Sequence, residues 1–257
     1  METLARVGFI ARGIAYIVIG VLGIMLAFGI ARHEPERAGA LEAIATKPLG
    51  YLLLWIVVIG FAGLALWRLT QAAARLHRSN GHRLYALAAG IGYTIVFFST
   101  LMFVIRGRTP DSSDAAAHDL TARILSWDGG RVVLVLIGLA IVAVGISLAL
   151  RGLRIEFTEN LRMGWMTRSA QDLVVWLGRI GYVARGVVVA AIGIAALVAA
   201  LTYDAANAKG VDGVLREFAQ TAFGPWLLIL IALGLIAFGV FSFLEARWRR
   251  TYGGIPV

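Results

Sequence analysis

The stretch Leu4–Gly13, with the sequence LARVGFIARG, returns at Leu177–Gly186 as LGRIGYVARG. The two copies share two arginines, two glycines and an alanine at identical spacing. Gly20 and Gly193 extend the match at the same offset of 173 residues. Each copy opens a long apolar run, so the chain uses the same helical start twice. An internal repeat of this kind indicates the architecture more directly than any single predicted helix does.

Six apolar runs in the chain are each long enough to cross the hydrocarbon core of a bilayer, which takes about 20 helical residues. Of the 257 residues, 60% are hydrophobic and 15% are charged. In a soluble domain about 25% of the residues are charged. Because lipid offers the backbone no hydrogen-bond partners, each run is predicted to be a helix. The runs lie near Val7–Ile30, Leu49–Leu69, Leu84–Ile105, Val132–Leu150, Ile180–Leu201 and Pro225–Leu244.

The six runs pair into three tandem units. A weaker copy of the opening motif starts the third run, where Arg83, Ala88, Gly90 and Tyr93 match first-run residues at an offset of 77, and Ala89 replaces the in-helix arginine. The even-numbered runs align through GFAGL from Gly60, GLAIV from Gly138 and GLIAF from Gly234. We therefore predict two-helix repeats at residues 1–78, 79–154 and 155–257.

The distribution of basic residues predicts the orientation. With the N-terminus inside, the inner segments carry 15 basic and 5 acidic residues, and the outer segments carry 9 and 10. The positive-inside rule then places both termini in the cytoplasm. Every odd-numbered helix starts inside, so the repeats are parallel and related by an axis along the membrane normal. The predicted fold is all-α and polytopic: six transmembrane helices as three tandem parallel helical hairpins in a pseudo-threefold bundle.

The two openings of the form R-x-G-[FY]-x-A-R-G and the closing EARWRR of Glu245–Arg250 carry a resemblance to a known family. The chain resembles, over almost its whole length, the bacterial membrane proteins with the domain of unknown function numbered 1206 (DUF1206). This resemblance implies three tandem hairpins in the bacterial cytoplasmic (inner) membrane. It adds architecture and no chemistry, and the second unit departs from the pattern by lacking the in-helix arginine.

Three charged residues are predicted to lie within or at the border of the spans. Arg12 and Arg185 each follow, by about one and a half turns, the basic residue that opens their helix. A charge at the centre of a span costs about 2.5–3.5 kcal/mol, so it is either functional or compensated. The functional interpretation is an anion or lipid-phosphate site; the structural one is snorkelling or a buried ion pair. Glu245 ends the sixth run on the same side, and we hypothesise that it pairs with Arg12 or Arg185.

Glycines recur seven residues apart and therefore lie on nearly the same helix face. Small residues there let two helix backbones approach closely. We predict that they pack helices together, with a glycine-lined pore as the alternative. The glycines are Gly13, Gly20, Gly138, Gly145, Gly186 and Gly193.

Further features are typical of membrane interfaces. Tryptophans near the span ends predict aromatic belts, at Trp55, Trp67, Trp127, Trp176, Trp226 and Trp248. A basic cluster after the last span is predicted to contact anionic headgroups, each residue contributing about 1 kcal/mol, through Arg247, Arg249 and Arg250. Short interfacial helices are predicted at Gly39–Ile44, Ala115–Leu125 and Gly213–Phe223.

The sequence contains none of the residue patterns we associate with catalysis. It has no cysteine, and neither Lys47 nor Lys209 belongs to a P-loop; metalloprotease and serine-hydrolase motifs are also missing. We assign the net charge of +9 to cytoplasmic loops rather than to nucleic-acid binding. We therefore expect a protein that is not an enzyme and has no cofactor or metal. Its role is predicted to be a membrane scaffold or a partner- or lipid-binding protein; the alternative is a small-solute or ion transporter or channel. A protein partner or homo-oligomer stays open.

Overall fold

The computed structural model describes residues 2–28, 50–73, 80–106, 113–221, 223–249, 251–252 and 255–256. Within these residues the chain is helical almost throughout. Eight α-helices are present there: α1 (Glu2–Ala27), α2 (Gly50–Ala73), α3 (Asn80–Arg106), α4 (Ser113–Leu125), α5 (Gly130–Leu153), α6 (Arg168–Thr202), α7 (Val211–Gln220) and α8 (Gly224–Trp248). The remaining elements are 3-10 helices at Glu156–Asn160, Met163–Trp165 and Ala205–Asn207 and an antiparallel pair of two-residue strands, Thr251–Tyr252 with Ile255–Pro256.

Four helices in the described part of the chain are long and apolar enough to cross a membrane, which indicates a membrane protein. They are α5, α6, α8 and the Arg6–Ala27 portion of α1. The apolar stretches of α2 and α3 are shorter there, at Val57–Thr70 and Gly90–Ile105. Large apolar side chains remain exposed along these helices, as in α5, where Val132 and Leu136 are 63% and 61% exposed. A surface of that kind is typical of helices that face lipid.

The six long helices pack side by side in the order α3, α2, α1, α8, α6 and α5. Helix α1 packs against α2, and α6 against α8, so each pair forms a hairpin. Contacts between α2 and α3, between α5 and α6, and between α8 and α1 join one hairpin to the next. Over the residues that the structure describes, α3 and α5 share no extended packing, and the row of helices is open at that seam.

Glycines set the closest helix contacts. On α1, a Cβ added to Gly13 would lie 2.8 Å from the carbonyl oxygen of Gly239 on α8, and one added to Gly239 would lie 2.7 Å from that of Gly13. On α6, a Cβ at Gly193 would lie 2.7 Å from the backbone nitrogen of Val142 on α5. Backbones that approach this closely gain dispersion contacts that lipid alone does not provide.

The connecting elements lie at the two ends of the bundle. At one end, the Asp114 carboxylate of α4 accepts hydrogen bonds from the backbone N–H groups of Gly210 (2.6 Å) and Gly213 (3.0 Å) at the start of α7. At the other end, the 3-10 segment places Phe157 against α6 and α8, and the backbone N–H of Arg162 donates to the carbonyl of Trp248 (2.9 Å). Helices α4 and α7 lie where interfacial helices were predicted, whereas Gly39–Ile44 is outside the described residues.

Helix α6 begins earlier than the sequence suggested. Its apolar run was predicted to start at Ile180, but the helix starts at Arg168. Thr167 is its N-cap, and the threonine hydroxyl accepts from the backbone N–H of Ala170 at 3.4 Å. A cap and a polar first turn extend a helix beyond the apolar stretch that hydropathy detects.

Candidate functional site

Arg12 is the most deeply buried of the charges predicted within the spans, with 3% of its surface exposed. Its Nη2 forms an ion pair with Oε2 of Glu245, which is 4% exposed. Its Nε donates to Oγ of Ser242 at 3.0 Å, and that hydroxyl donates to the carbonyl of Phe238 at 2.8 Å. Glu245 and Ser242 lie three residues apart on α8, so one face of that helix receives the guanidinium of α1. The structure therefore joins Glu245 to Arg12, one of the two partners we hypothesised.

Arg249 occupies a place that the sequence analysis did not foresee. We predicted that it contacts headgroups, but its side chain is only 9% exposed and its Nη1 pairs with Oε1 of Glu245. The reason is helical spacing: Arg249 follows Glu245 by four residues and so returns to the same face. Arg247 lies on another face and is exposed, as a headgroup contact requires, and Arg250 is outside the described residues.

Arginines and aromatic rings alternate through this region. We call the set the arginine–aromatic ladder, and its members, in order, are Arg68, Trp67, Arg249, Phe9, Arg12, Phe238, Arg185 and Tyr16. Each guanidinium carbon lies 4.5–5.7 Å from the centroid of a neighbouring ring. A cation over a ring face is stabilised by about 0.5–2 kcal/mol, more where water is excluded. The ladder thus holds four cations in the bundle, contributed by α1, α2, α6 and the end of α8.

Trp67 is part of this ladder and not of an aromatic belt. It was predicted to face the membrane interface, yet it is 2% exposed and packs edge-on against Phe9, with ring centroids 5.4 Å apart. Helix α2 continues past it to Ala73, so its position near the end of the apolar run was misleading. Trp127, Trp176 and Trp226 are 61%, 62% and 75% exposed and can anchor the protein at the interfaces.

Arg185 lies on α6 at the position that corresponds to Arg12, but its surroundings differ. It stacks on Phe238 (5.1 Å) and Tyr16 (5.7 Å). Arg12 meets the carboxylate of α8, whereas α5, the helix that packs on the equivalent face of α6, contains no acidic residue between Gly130 and Leu153. Two copies of one motif therefore place their arginines against different neighbouring helices.

A cavity of about 450 Å³ lies beside these two arginines. Arg12 and Arg185 line one end of it, Tyr16 and Tyr93 lie next to them, and Val211 of α7 lies at the other end. Helices α1, α3 and α6 supply most of the wall, and the rest of the lining is apolar. A mostly apolar pocket of this size with a few convergent polar groups is typical of a ligand site.

The first helix of each repeat, α1, α3 and α6, presents the same register positions to the cavity. Helix α1 contributes Arg12, Ala15, Tyr16 and Ile19; α3 contributes Gly92, Tyr93, Ile95 and Val96; α6 contributes Arg185, Val188, Val189 and Ile192. Adding 77 or 173 to the α1 positions Ala15, Tyr16 and Ile19 gives the lining positions on α3 and α6, with Ile95 as an addition. The position of Arg12 corresponds to Arg185 in α6 and, in the sequence, to Ala89 in α3. The cavity therefore lies where the three copies of the opening motif face one another.

All six predicted glycines lie at helix interfaces. Gly13 and Gly20 contact α8, and the other four, Gly138, Gly145, Gly186 and Gly193, form the interface between α5 and α6. The residues that the sequence analysis missed are Tyr16, Tyr93, Ser242 and Phe238. The repeat offset holds a signal for Tyr93, which matches Tyr16, but no local pattern identifies Ser242 or Phe238, because their roles depend on how α8 packs against α1.

Comparison with known proteins places these features in a family. The family model described as Domain of Unknown Function (DUF1206) matches the chain three times, at residues 7–75, 85–154 and 180–249. The chain belongs to the DUF1206 family. Each match contains two of the long helices, first α1 and α2, then α3 and α5, then α6 and α8. The resemblance carried by the opening and closing motifs is thereby confirmed, and so is the presence of three repeats.

A relative of this DUF1206 protein is found in Bacillus subtilis (strain 168). That protein, "Uncharacterized protein YxxB", is 28% identical over 256 residues, which cover 97% of this chain and 91% of the relative. No solved structure matches the chain. The similarity to this relative therefore extends through all three repeats, and the relative's name gives no activity.

Proposed function

We propose that the protein is a six-span protein of the bacterial cytoplasmic membrane and acts without catalysis, as a membrane scaffold that holds a lipid between its repeats. In this proposal all six long helices cross the bilayer, both termini are cytoplasmic, and a pseudo-threefold axis passes through the cavity. The observation that carries the proposal is the cavity itself, an apolar space with two arginines at one end.

The packing of the helices supports the pseudo-threefold arrangement. A ring of three hairpins has six interfaces between neighbouring helices, and five of them are present. Helix α3 packs its Gly90 on Leu69 of α2, as α6 packs Gly186 on α5 and α1 packs Gly13 on α8. Gly13, Gly90 and Gly186 are the same position of the opening motif, so all three copies use it against the second long helix of another repeat.

The character of the cavity wall favours lipid binding over solute transport. Between the arginine end and Val211 the lining is formed by side chains such as Ile19, Val96 and Ile192. A path for ions or polar solutes needs polar groups near the middle of the membrane to replace hydration. Acyl chains need no such replacement and gain dispersion contacts with these walls.

Because the chain contains no cysteine, single cysteines can test the proposal directly. Ser126 and Gly164 are exposed at opposite ends of the bundle, and Gly92 lines the cavity. In intact spheroplasts, a membrane-impermeant maleimide is expected to label Ser126→Cys, and to label Gly164→Cys only after permeabilisation. Labelling of both sites from one side would contradict the proposed topology.

The same approach distinguishes a lipid site from a hydrated path. A nitroxide spin label on Gly92→Cys, in protein reconstituted into liposomes, is expected to collide with dissolved oxygen more often than with a water-soluble nickel chelate. The matched control is a label on Ser126→Cys, where the nickel chelate should dominate. A nickel collision rate at Gly92 equal to that at Ser126 would mean that the cavity is filled with water. That result would favour the alternative hypothesis of a small-solute or ion transporter or channel.

A further inference from the structure

We infer that the cavity binds an amphiphile from the membrane that has a single acyl chain and an anionic head, a carboxylate or a phosphate. The head lies against the guanidinium groups of Arg12 and Arg185, and the chain extends along the apolar wall toward Val211. This inference rests on the lipid-binding function proposed above and specifies the chemistry of the ligand.

The charge of the lining selects an anion. Two guanidinium groups, of Arg12 and Arg185, face the cavity, and the described lining contains no acidic side chain. The nearby carboxylate of Glu245 is shared between Arg12 and Arg249. An oxyanion placed between two arginines receives charge-assisted hydrogen bonds, which are stronger than those of neutral groups.

Two tyrosines complete the polar end. Tyr16 and Tyr93 line the cavity beside the arginines, and the guanidinium carbon of Arg185 lies 5.7 Å from the centroid of the Tyr16 ring. A phenol hydroxyl can donate one hydrogen bond and accept another. Since carboxylate and phosphate heads are rich in acceptors, the donors that surround this end match their chemistry.

The apolar wall selects a chain rather than a free anion. From Arg12 to Ile19 and from Arg185 to Ile192 the wall follows two helical turns, about 10 Å at 1.5 Å per residue, and Val96 and Leu235 close it. Inorganic phosphate would leave these side chains without a partner. A volume of about 450 Å³ is suited to one chain with a small head, within the range of about 300–1,000 Å³ for ligand pockets.

The open seam provides the route of entry. Helix α3 lines the cavity but shares no extended packing with α5, its neighbour across the seam, or with α6 over the described residues. On the α3 side, Ile95 lines the cavity and is 62% exposed. An amphiphile that diffuses in the bilayer can therefore enter sideways, with its chain remaining in an apolar medium throughout.

Gly92 offers a way to fill the cavity without disturbing the fold. It lies on α3 and lines the cavity, and a Cβ added there would meet no atom within 4 Å. The Gly92→Leu variant is therefore expected to fold without loss of thermal stability, because leucine also favours a helix interior over glycine, while its side chain occupies the space of the acyl chain. Arg185→Gln removes one of the two cations, and Arg179→Gln, an exposed arginine of the same helix outside the cavity, is its matched control.

The test is equilibrium binding to the full chain, delipidated in a neutral detergent. The probes are hexadecanoate, hexadecyl phosphate, hexadecanol and inorganic phosphate, with bound stoichiometry read by native mass spectrometry. We expect one hexadecanoate or hexadecyl phosphate per chain, about tenfold or more weaker binding of hexadecanol, and no binding of inorganic phosphate. Arg185→Gln should weaken binding of the two anionic probes about tenfold, Gly92→Leu should abolish it, and Arg179→Gln should leave it unchanged.

Several outcomes would overturn the inference. Equal affinity for hexadecanol and hexadecanoate would show that charge plays no part, and binding by Gly92→Leu at the level of the natural chain would place the ligand elsewhere. The relative affinities for the two anionic heads assign the head as carboxylate or phosphate. Failure here differs from failure of the proposed function, because the spin label at Gly92 reports a lipid-like or watery cavity whatever the ligand's head.

Discussion

The first and third repeats close their hairpins with glycines, and the second repeat does not. Gly60 of α2 packs against Gly8 and Ala11 of α1, and Gly234 of α8 packs against Ala184 of α6. Gly138 of α5 aligns with both, yet it faces Gly193 of the third repeat instead of α3. The same small residue therefore serves an interface inside a repeat in two copies and an interface between repeats in the other.

The charges of the three repeats differ at the same place. The second copy of the motif has Ala89 where the others have Arg12 and Arg185, and the helix α5 contains no acidic residue to match Glu245 of α8. The second repeat, which lacks the in-helix arginine, is also the repeat whose long helices, α3 and α5, share no extended packing over their described residues. The difference teaches that the first and third repeats hold the cations of the bundle, whereas the second repeat contains the seam between α3 and α5.

The largest effect is expected at the carboxylate that only the third repeat possesses. Glu245→Gln leaves the guanidinium groups of Arg12 and Arg249 without their buried counter-charge. Breaking a buried pair by removing one partner destabilises a protein by about 3–5 kcal/mol. Thermal unfolding in detergent, followed by near-ultraviolet circular dichroism, should show a large loss of stability.

The control for this variant is the exposed pair of Lys209 with Glu217, whose carboxylate side chain is 57% exposed. Glu217→Gln should change stability by about 1 kcal/mol or less, as exposed ion pairs do. Unfolding of Glu245→Gln at the temperature of Glu217→Gln would show that the packing of the first and third repeats does not depend on the ion pairs of Glu245.

An intermediate effect is expected from adding one methyl group at a packed glycine. A Cβ at Gly186 would lie 2.7 Å from the backbone nitrogen of Ala149 and from the carbonyl oxygen of Gly145, so α5 and α6 must move apart. Gly186→Ala should lower stability by about 1–3 kcal/mol, the usual range for overpacking. Gly92→Ala, where the methyl group meets nothing, should instead raise stability by about 0.5–1 kcal/mol, because glycine weakens a helix interior. Denaturant titration of the two variants in detergent gives the comparison, and similar losses in both would argue against close packing at Gly186.

Sequence reasoning succeeded where the signal is local or repeated. The apolar runs and the spacing of the glycines are properties of one helix at a time, and the repeat offset is found by comparing stretches of the sequence directly. The helices α4 and α7 were predicted from short segments between the apolar runs. The pairing of Arg12 with Glu245 was one of two hypothesised options, and the sequence could not choose, since the choice depends on which neighbour α8 contacts.

What the sequence could not provide is the identity of neighbours across the bundle. Trp67 and Arg249 look like interfacial residues because each lies near the end of an apolar run, yet the ends of α2 and α8 converge on Phe9 and bury both. The open seam was also invisible, because the apolar run of a helix does not identify which neighbour that helix contacts. Placing the cavity required knowing that matching positions of three helices line the same space.

The smallest effect is expected at the second of the two equivalent arginines. Arg185→Gln removes the stacking on Tyr16 and Phe238 but leaves the carboxylate of Glu245 with both of its partners. Loss of such cation–π contacts lowers stability by about 1 kcal/mol, well below the effect of Glu245→Gln. Thermal unfolding beside the exposed control Arg179→Gln measures it. A loss of stability as large as that of Glu245→Gln would mean that Arg185 shares the structural role of Arg12. A small loss would mean that the fold does not depend on Arg185, so that its guanidinium group can bind a ligand.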